Sequence, residues 1–258
     1  MEQLWTKPVL RIDQALGGQM RLVGGCVRDF ICHRIPTDWD MATPLLPKIV
    51  LERLEAHQIP CRPVTLKRGV VAAELDHIQF EITTLRQDRY LSNQESVTFI
   101  TDYEQDAVRR DFTINAMSMD KTGQIYDYFD GQDDLLNHRV RFIGSPIVRM
   151  EEDALRIYRY MRFWAVYGDK EPDKSVTSLF PQVRERLKKI SLNRRKKEIN
   201  HLLMTNRVIQ ALDVMDKTGV LSYTIRNANL PALAQLLQEN PMASLQERLS
   251  RLGEYETL

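Results

Sequence analysis

The chain has 258 residues, and 43% of them are hydrophobic, which is enough for one large domain or for two or three small ones. The formal net charge is +1, so any affinity for nucleic acid must come from local clusters of basic residues. No apolar run approaches the ~18–20 residues of a membrane span and no signal or transit peptide is recognisable, so we expect a cytoplasmic protein that has no membrane partner.

The first predicted elements are a short helix within residues 1–20, which a pair of glycines ends, and a short strand over residues 21–23. Gly24 and Gly25 follow this strand. Glycine adopts backbone conformations that other residues disfavour, which leaves backbone N–H groups free to approach phosphate oxygens. Two glycines alone are a weak signal. An Arg-Asp pair that begins at Arg28 strengthens the prediction of a phosphate-binding turn.

The next predicted strand, residues 37–43, carries two aspartates, Asp38 and Asp40. Successive side chains of a strand point to opposite faces, so both carboxylates project from one face, and Trp39 and Met41 project from the other, towards the core. An isolated pair of aspartates is more often a solvated acidic edge. The glycine turn upstream favours a site for phosphate and metal instead.

Four further elements are predicted before residue 86, namely a helix over 49–56 and strands over 64–66, 70–75 and 78–85. Glu81 lies on the polar face of the last strand. It is either a third carboxylate directed at the metal site or a glutamate that faces solvent, and the residues alone leave both alternatives open.

Residues 86–108 are polar and lack periodicity, which predicts a long loop. The loop leads to Arg109, Arg110 and Asp111. These form either a surface salt bridge or, beside a phosphate site, a bidentate contact to a triphosphate. A short strand, then a turn, a helix and a strand are predicted over residues 125–144.

After Pro146 the chain is predicted to be helical. A helix over residues 151–168 begins with acidic residues, which suit the positive end of the helix dipole. Ion pairs spaced by three residues on such a helix contribute only ~0.2–0.5 kcal/mol each. One polar ridge of the helix carries four residues in this spacing: Asp153, Arg156, Arg159 and Arg162.

The densest basic run of the chain lies within residues 182–201, where Ser191 is predicted to begin a helix. The run is either a solvated helix face or a surface that contacts RNA phosphates. Short amphipathic helices are predicted after it, over 206–218, 230–239 and 243–252. The candidate RNA contacts are Arg194, Arg195, Lys196 and Lys197.

Two or three carboxylates on one sheet face, beside a glycine turn and several arginines, suit nucleotidyl transfer with two metal ions. Mg2+ prefers oxygen ligands, and aspartates hold two such ions about 3.5–4 Å apart. One ion lowers the pKa of an attacking hydroxyl, and the other stabilises the leaving pyrophosphate. We therefore expect Mg2+ as the cofactor, in a two-ion site.

Six motifs now identify a family resemblance: LVGGCVRD with DWD, FEITTLR, RRDFTINAM, DGQDDL with RVRFIG, EEDALRIYRYMRF and NRRKKEINHLL. In this order and spacing they resemble class II tRNA nucleotidyltransferases, the CCA-adding enzymes, and their bacterial poly(A) polymerase relatives. The resemblance covers roughly residues 20–203. Six motifs in order are highly specific, although each alone is weak to moderate.

The resemblance implies an α+β fold, with an N-terminal nucleotidyltransferase head that is similar to polymerase β and has a mixed or antiparallel sheet. An all-helical neck and a short helical body follow the head. The implied domains are residues 1–143 for the catalytic head, 144–205 for the neck with base recognition, and 206–258 for the body, with the tail largely absent. The implied partners are the tRNA 3′ end and the substrates CTP and ATP, and we favour a monomer.

The resemblance also implies roles for individual residues. The implied magnesium ligands are Asp38 and Asp40, with Glu81 as a third catalytic carboxylate. The implied nucleotide-binding residues are Gly24, Gly25 and Arg28 for the triphosphate, Arg110 and Asp111 for phosphate and ribose, and Asp153 and Arg156 for the base, with Arg159 and Arg162 in support.

Base recognition by this pair has a physical rationale. Cytosine and adenine both offer an exocyclic amine beside a ring-nitrogen acceptor, whereas uracil and guanine offer a carbonyl beside a ring N–H. A carboxylate acceptor next to an arginine donor matches the first pattern and leaves unpaired groups against the second. Each unpaired group costs about 1–3 kcal/mol, which is enough for selection without a template.

We therefore expect addition of C, C and A to the tRNA 3′ end from CTP and ATP, by in-line attack of the 3′-hydroxyl on the α-phosphate. The alternatives are a poly(A) polymerase, an enzyme that adds only CC or only A, and a non-catalytic RNA-binding module. The predicted loop has nearly the length expected for addition of the terminal A, although its SNQES segment lacks the usual glycine-arginine element. The region after VVAAEL lacks the basic signature of poly(A) polymerases.

Overall fold

Residues 4–91, 94–169 and 171–256 are described by the computed structural model of the chain. The chain divides into two units, Met1–Leu135 and Leu136–Leu258. In the described part, no helix is long and apolar enough to cross a membrane. The predicted division into head, neck and body stays a prediction.

The first unit contains a seven-stranded sheet of mixed orientation and a separate hairpin. Its strands are β1 (Arg21–Val23), β2 (Trp39–Thr43), β3 (Cys61–Thr65), β4 (Val70–Leu75), β5 (Ile78–Thr84), β6 (Arg86–Leu91), β7 (Gln94–Phe99), β8 (Ser118–Met119) and β9 (Ile125–Tyr126). The sheet order is β3-β4-β5-β2-β1-β8-β9, and all neighbours are antiparallel except β2 and β5. A mixed sheet followed by helices confirms the predicted α+β class.

Side-chain alternation decides which residues of the central strands face the core. Phe80 and Ile82 of β5 are buried and Glu81 between them is exposed, so the predicted alternation of faces along this strand is confirmed. Strands β2 and β5 run parallel with Asp40 opposite Glu81, so these two carboxylates lie beside each other on one face. β2 is shorter than predicted, and Asp38 lies immediately before it.

Five helices accompany the strands of the first unit. Two of them have proline near the first turn, where its missing N–H costs nothing. Gly17 and Gly18 both have a φ of +71°, which explains why the first helix stops before them, as predicted. The helices are α1 (Lys7–Ala15), α2 (Gly25–Ile31), α3 (Pro47–Ala56), α4 (Tyr103–Val108) and α5 (Gly131–Leu136).

The loop predicted over residues 86–108 is wrong. This segment forms the antiparallel hairpin of β6 and β7, and then helix α4. These strands lack the alternating hydrophobic pattern of a typical strand because their polar groups are paired. Arg86 is buried, and its guanidinium donates to Asp88 Oδ1 and to the carbonyl of Arg68. Ser92 and Asn93, the first residues of the SNQES segment, lie outside the described residues.

The second unit is almost entirely helical. Helix α7 is its centre, because it packs against both α10 and α11 and buries two fully enclosed tyrosines. The helices are α6 (Pro146–Glu152), α7 (Leu155–Tyr167), α8 (Lys174–Thr177), α9 (Phe180–Val183), α10 (Leu192–Leu203), α11 (Val208–Lys217), α12 (Leu230–Glu239) and α13 (Leu245–Leu252). The two strands are β10 (Ile225–Arg226) and β11 (Glu254–Tyr255), which pair antiparallel.

Two predicted elements of this unit are wrong. The single helix predicted over 151–168 is two helices, because Asp153 has extended backbone angles (φ −144°, ψ 103°) between α6 and α7. The strand predicted near residue 142 is only an isolated bridge in the described chain. Phe142 instead stacks on Tyr160 of α7, with ring centroids 5.7 Å apart, so its side chain supports a helix. The three predicted C-terminal helices are confirmed as α11, α12 and α13.

Candidate active site

A tight glycine turn connects β1 to α2. Gly24 has a φ of +70°, and its N–H donates to the carbonyl of Met117. A Cβ on Gly24 would lie 2.9 Å from a guanidinium nitrogen of Arg110 and 3.8 Å from Oδ2 of Asp40. Glycine is therefore required for the backbone angle and for the close approach of an arginine and a carboxylate. Gly25 begins α2.

Three carboxylates meet at this turn. Asp40 is partly buried, while Asp38 and Glu81 are exposed. Burial, together with the charges of Glu81 and Asp38, raises the pKa of Asp40 to about 6, although Arg110 and Arg28 oppose the shift. This raised pKa means that the site favours neutralisation of the Asp40 charge, either by a proton or by a bound cation.

The donor set fits a divalent cation with few protein ligands. Within the described residues, no group of three or more His, Cys, Asp or Glu side chains is arranged to hold a metal. Mg2+ is commonly bound by one or two carboxylates and completes its coordination with waters and substrate phosphates. Asp38 and Asp40 satisfy that requirement, and Glu81 adds negative charge beside them.

Arg28 lies next to the carboxylates and is held by a polar chain. It is 8% exposed, and its guanidinium donates to Asp29 Oδ1 and to Asn115 Oδ1. The amide of Asn115 donates in turn to Asp111 Oδ1 at 3.0 Å. Asp111 is therefore joined to the site through Asn115, a residue that the sequence analysis missed.

Arg110 is anchored by Asp106, a second residue that the sequence analysis missed. Asp106 is 2% exposed, and its carboxylate accepts from Arg109 at 2.8 Å, from Arg110 at 3.4 Å and from the N–H of Arg86 at 3.0 Å. Burial favours the protonated acid, but Arg109 and Arg110 outweigh it and lower the pKa of Asp106. The i,i+3 and i,i+4 spacing on α4 is the signal that would have indicated these pairs.

In the second unit, Asp153 occupies the break between α6 and α7. Its Oδ1 accepts from the N–H of Leu155 at 3.0 Å, and its Oδ2 accepts from the guanidinium of Arg194 at 2.9 Å. Both carboxylate oxygens therefore have one fixed partner each. The backbone N–H of Arg156 donates to the Asp153 carbonyl at 3.0 Å.

The other members of the predicted ridge are paired with glutamates. Arg156 is 8% exposed and donates to Glu152 at 2.6 Å and to the carbonyl of Arg149 at 2.8 Å. Arg159 and Arg162 both reach Glu198 of α10, at 3.5 and 2.7 Å. Glu152 and Glu198 were not predicted as site residues, because neither stands out from the many charged residues around it.

The predicted basic run is less uniform than its sequence. Arg195 is 4% exposed, and its Nε donates to the carbonyl of Ile190, so its placement does not suit a surface contact. The ammonium of Lys196 lies 4.6 Å from the centre of the Tyr255 ring. Lys197 is exposed.

Comparisons with known proteins identify relatives of this chain. The family described as "Poly A polymerase head domain" matches residues 20–141, and the one described as "Probable RNA and SrmB- binding site of polymerase A" matches residues 171–242. The "CCA tRNA nucleotidyltransferase 1, mitochondrial" of Danio rerio is 36% identical over 213 residues, which are 80% of this chain and 49% of the relative. The "CCA-adding enzyme" of Staphylococcus epidermidis is 34% identical over 220 residues, which are 84% of this chain and 54% of the relative.

A solved structure supports the same relationship. The Bacillus stearothermophilus CCA-adding enzyme in complex with CTP superimposes with a TM-score of 0.72 at 32% identity, over 83% of this chain and 53% of that one. The chain belongs to the family of CCA-adding enzymes and poly(A) polymerases. Enzymes of this family generally use divalent metal ions. This family member spans about half the length of the curated relatives that it matches.

Within this family member, each unit gathers its own share of the predicted residues. In the first unit the glycines, the carboxylates, Arg28 and Arg110 surround one turn, with Asp111 linked through Asn115. In the second unit the polar ridge is gathered around the start of α7 and α10. The roles that the sequence predicts for these residues remain predictions.

Proposed function

We propose that the protein adds C, C and A to the 3′ end of tRNA, without a nucleic-acid template and with CTP and ATP as substrates. Pyrophosphate is the second product. The observation that carries the proposal is the set of carboxylates around Asp40, whose pKa is raised by burial and by Glu81 beside the Gly24 turn, in a chain of the CCA-adding family.

Asp38 and Asp40 would hold Mg2+, in a two-ion site, and Glu81 would keep the surroundings negative. The bound cation supplies charge stabilisation for the attacking 3′-hydroxyl and the leaving pyrophosphate. The protein needs no nucleophile of its own for this reaction, because the RNA hydroxyl attacks the α-phosphate directly. Asp40 must be ionised to bind the cation, so protons compete with the cation as pH falls through about 6.

Arg28 and Arg110 bind the triphosphate. Guanidinium groups donate in a planar fork that matches phosphate oxygens, and the Gly24 turn lets the backbone approach them. Asp29 and Asn115 hold Arg28, and Asp106 holds Arg110, so neither side chain has to be ordered when the nucleotide binds. Asp111 accepts from the ribose.

Asp153 and Arg156 recognise the base, as an acceptor beside a donor. Arg159 and Arg162 support the pair through Glu198. Of the basic run, Lys196 and Lys197 contact tRNA phosphates, and Arg194 and Arg195 have other roles. The neck, residues 144–205, carries base recognition, and residues 206–258 contribute to a helical body.

Incorporation assays test the proposal. The full chain is incubated with Mg2+ and tRNAs that end before CCA, after C or after CC, and each labelled nucleotide is supplied alone and together. The proposal expects CTP incorporation into the first two tRNAs and ATP incorporation into the third. Addition of C alone or A alone would identify a partial enzyme. Addition of long tracts of A would identify a poly(A) polymerase, and the absence of any incorporation would indicate an RNA-binding module.

Arg156→Ala is expected to relax base selection about 10–100-fold, because a donor for the ring nitrogen is lost while the triphosphate contacts remain. Discrimination of CTP from UTP is measured as a ratio of kcat/KM values. Inhibition by inorganic tripolyphosphate, which has no base, is the control and should be unchanged. Full selectivity in the variant would contradict the role of Arg156.

Lys197→Gln is expected to reduce the dependence of tRNA affinity on salt. Each phosphate contact contributes a slope of about −0.9 in a plot of log K against log salt for duplex RNA or DNA, so the loss of one contact should reduce the slope by about one. Filter binding at several salt concentrations measures the slope. Lys174→Gln, which removes another exposed lysine of the same unit, is the matched control. If Lys197→Gln and Lys174→Gln have the same salt slope, Lys197 does not contact RNA.

A further inference from the structure

The Asp153 carboxylate is fixed from two directions. The N–H of Leu155, in the first turn of α7, contacts Oδ1, and the guanidinium of Arg194, on α10, contacts Oδ2. One contact alone would leave the carboxylate free to rotate about its Cβ–Cγ bond. Two contacts on different oxygens hold its plane, and each oxygen keeps a lone pair for a further donor.

Arg194 is not explained by the stability of its own helix. It is the third residue of α10 after the N-cap Ser191, where the positive end of the helix dipole disfavours a cation. A glutamate at this position would complete a capping box with Ser191, whose side chain makes no capping bond in the described structure. Helix α10 therefore gains nothing from an arginine here.

The ion pair also contributes little to the stability of the fold. The side chain of Arg194 is 54% exposed and that of Asp153 is 28% exposed. Pairs with such exposure contribute about 0–1 kcal/mol. Glu198, four residues further along α10, is the nearer helical partner by spacing, but it already binds Arg159 and Arg162. Arg194 is thus left to contact Asp153.

We infer that Arg194 is a positioning residue that orients the Asp153 carboxylate towards the incoming base, and that it is not an RNA contact. The inference rests on the base-recognition role proposed above for Asp153. A fixed carboxylate accepts from the exocyclic amine of cytosine or adenine and meets the carbonyl of uracil or guanine at close range. A carboxylate that turns freely loses the first contact and avoids the second, so selectivity falls.

Equilibrium binding of single nucleotides tests this role without RNA. CTP, ATP, UTP and GTP are titrated into the full chain with Mg2+ by calorimetry, for wild type, Arg194→Gln and Arg194→Lys. The preference for CTP over UTP and for ATP over GTP should fall about tenfold in Arg194→Gln. Arg194→Lys keeps the positive charge but loses the planar guanidinium group. Its preference for CTP over UTP and for ATP over GTP should therefore lie between those of wild type and Arg194→Gln.

Lys217→Gln is the matched control, because it also removes the cation of an exposed ion pair, Lys217 with Asp213, in the same unit. Thermal midpoints of both glutamine variants should remain close to that of wild type, and the salt slope for tRNA should be unchanged in Arg194→Gln.

Three outcomes would overturn the inference, and they are distinguishable. If wild type prefers CTP and ATP and Arg194→Gln keeps the full preference, the orienting role is wrong and the proposed function stands. A smaller salt slope for tRNA with intact preference would make Arg194 an RNA contact. If wild type binds all four nucleotides equally, base recognition by Asp153 fails, and the role of Arg194 fails with it.

Discussion

Asparagine in place of Asp40 is expected to abolish nucleotide incorporation and also to stabilise the metal-free protein. Charge stabilisation by a bound cation is worth several kcal/mol, so its loss lowers the rate by about 10³-fold or more. The same substitution removes a negative charge that burial, Glu81 and Asp38 all disfavour. The free energy of unfolding should therefore rise by about 1–3 kcal/mol at pH 8.

The pH dependence of this gain follows from the raised pKa of Asp40. Below the ordinary pKa of 3.8 the carboxyl is protonated in both the folded and the unfolded protein, and wild type matches the variant. As pH rises from about 4 to about 6, the unfolded chain ionises Asp40 while the folded protein keeps it protonated, so wild type loses stability that the asparagine variant keeps. The difference between them should open between pH 4 and pH 6 and remain constant above that range.

Urea unfolding in the presence of EDTA at several pH values measures the stability, and single-turnover incorporation measures the activity. Glu74→Gln, which also replaces a carboxylate with an amide, at an exposed position of strand β4 in the same sheet, should leave both unchanged. An Asp40→Asn protein that incorporates nucleotide, or that is less stable than wild type at pH 8, would contradict the assignment.

Replacement of Asp106 with asparagine is expected to have the opposite effect on stability. The buried carboxylate holds Arg109, Arg110 and the N–H of Arg86, so its loss removes a buried counter-charge from two guanidinium groups. Breaking a buried ion pair from one side costs about 3–5 kcal/mol. Because Arg110 would also lose its fixed position, the affinity for ATP should fall about tenfold.

The lowered pKa of Asp106 gives this prediction its own pH signature. The stability that the carboxylate contributes is present above its ordinary pKa of 3.8 and is lost as pH falls below that value. The free energies of unfolding of wild type and Asp106→Asn should therefore differ at pH 7 and become similar at acidic pH. Glu104→Gln, an exposed change in the first turn of the same helix, is the control. Equal unfolding midpoints for wild type and Asp106→Asn at pH 7 would show that Asp106 is not the anchor.

Much of the fold can be predicted from local patterns. The strand that ends at Val23, the β4 strand and the alternating β5 strand follow from apolar spacing and from glycine punctuation. The three C-terminal helices follow from their amphipathic repeat. In these elements most residues that face the core are apolar, with Thr84 of β5 and Arg248 of α13 as exceptions, so the pattern is visible without knowledge of the partner.

Local sequence patterns fail to predict an element where its polar groups form hydrogen bonds with residues that are distant in the sequence. The β6–β7 hairpin looks like a loop because Arg86 and Asp88 are polar, yet Arg86 donates both to Asp88 and to the carbonyl of Arg68. The break at Asp153 is hidden in a continuous helical pattern. At the break, Asp153 accepts a hydrogen bond from Arg194, which lies 41 residues further along the chain.

The sequence by itself determined the family, and it predicts the chemistry of the site. The sequence identifies site residues by properties of the residue type itself. These properties are backbone freedom for Gly24 and charge for Asp38, Asp40, Arg28 and Arg110. Only the tertiary structure decided which partner holds each charge. Asp106, Asn115 and Arg194 are ordinary polar residues until folding brings them within hydrogen-bond distance of the site residues, because a hydrogen bond depends on distance and direction in space.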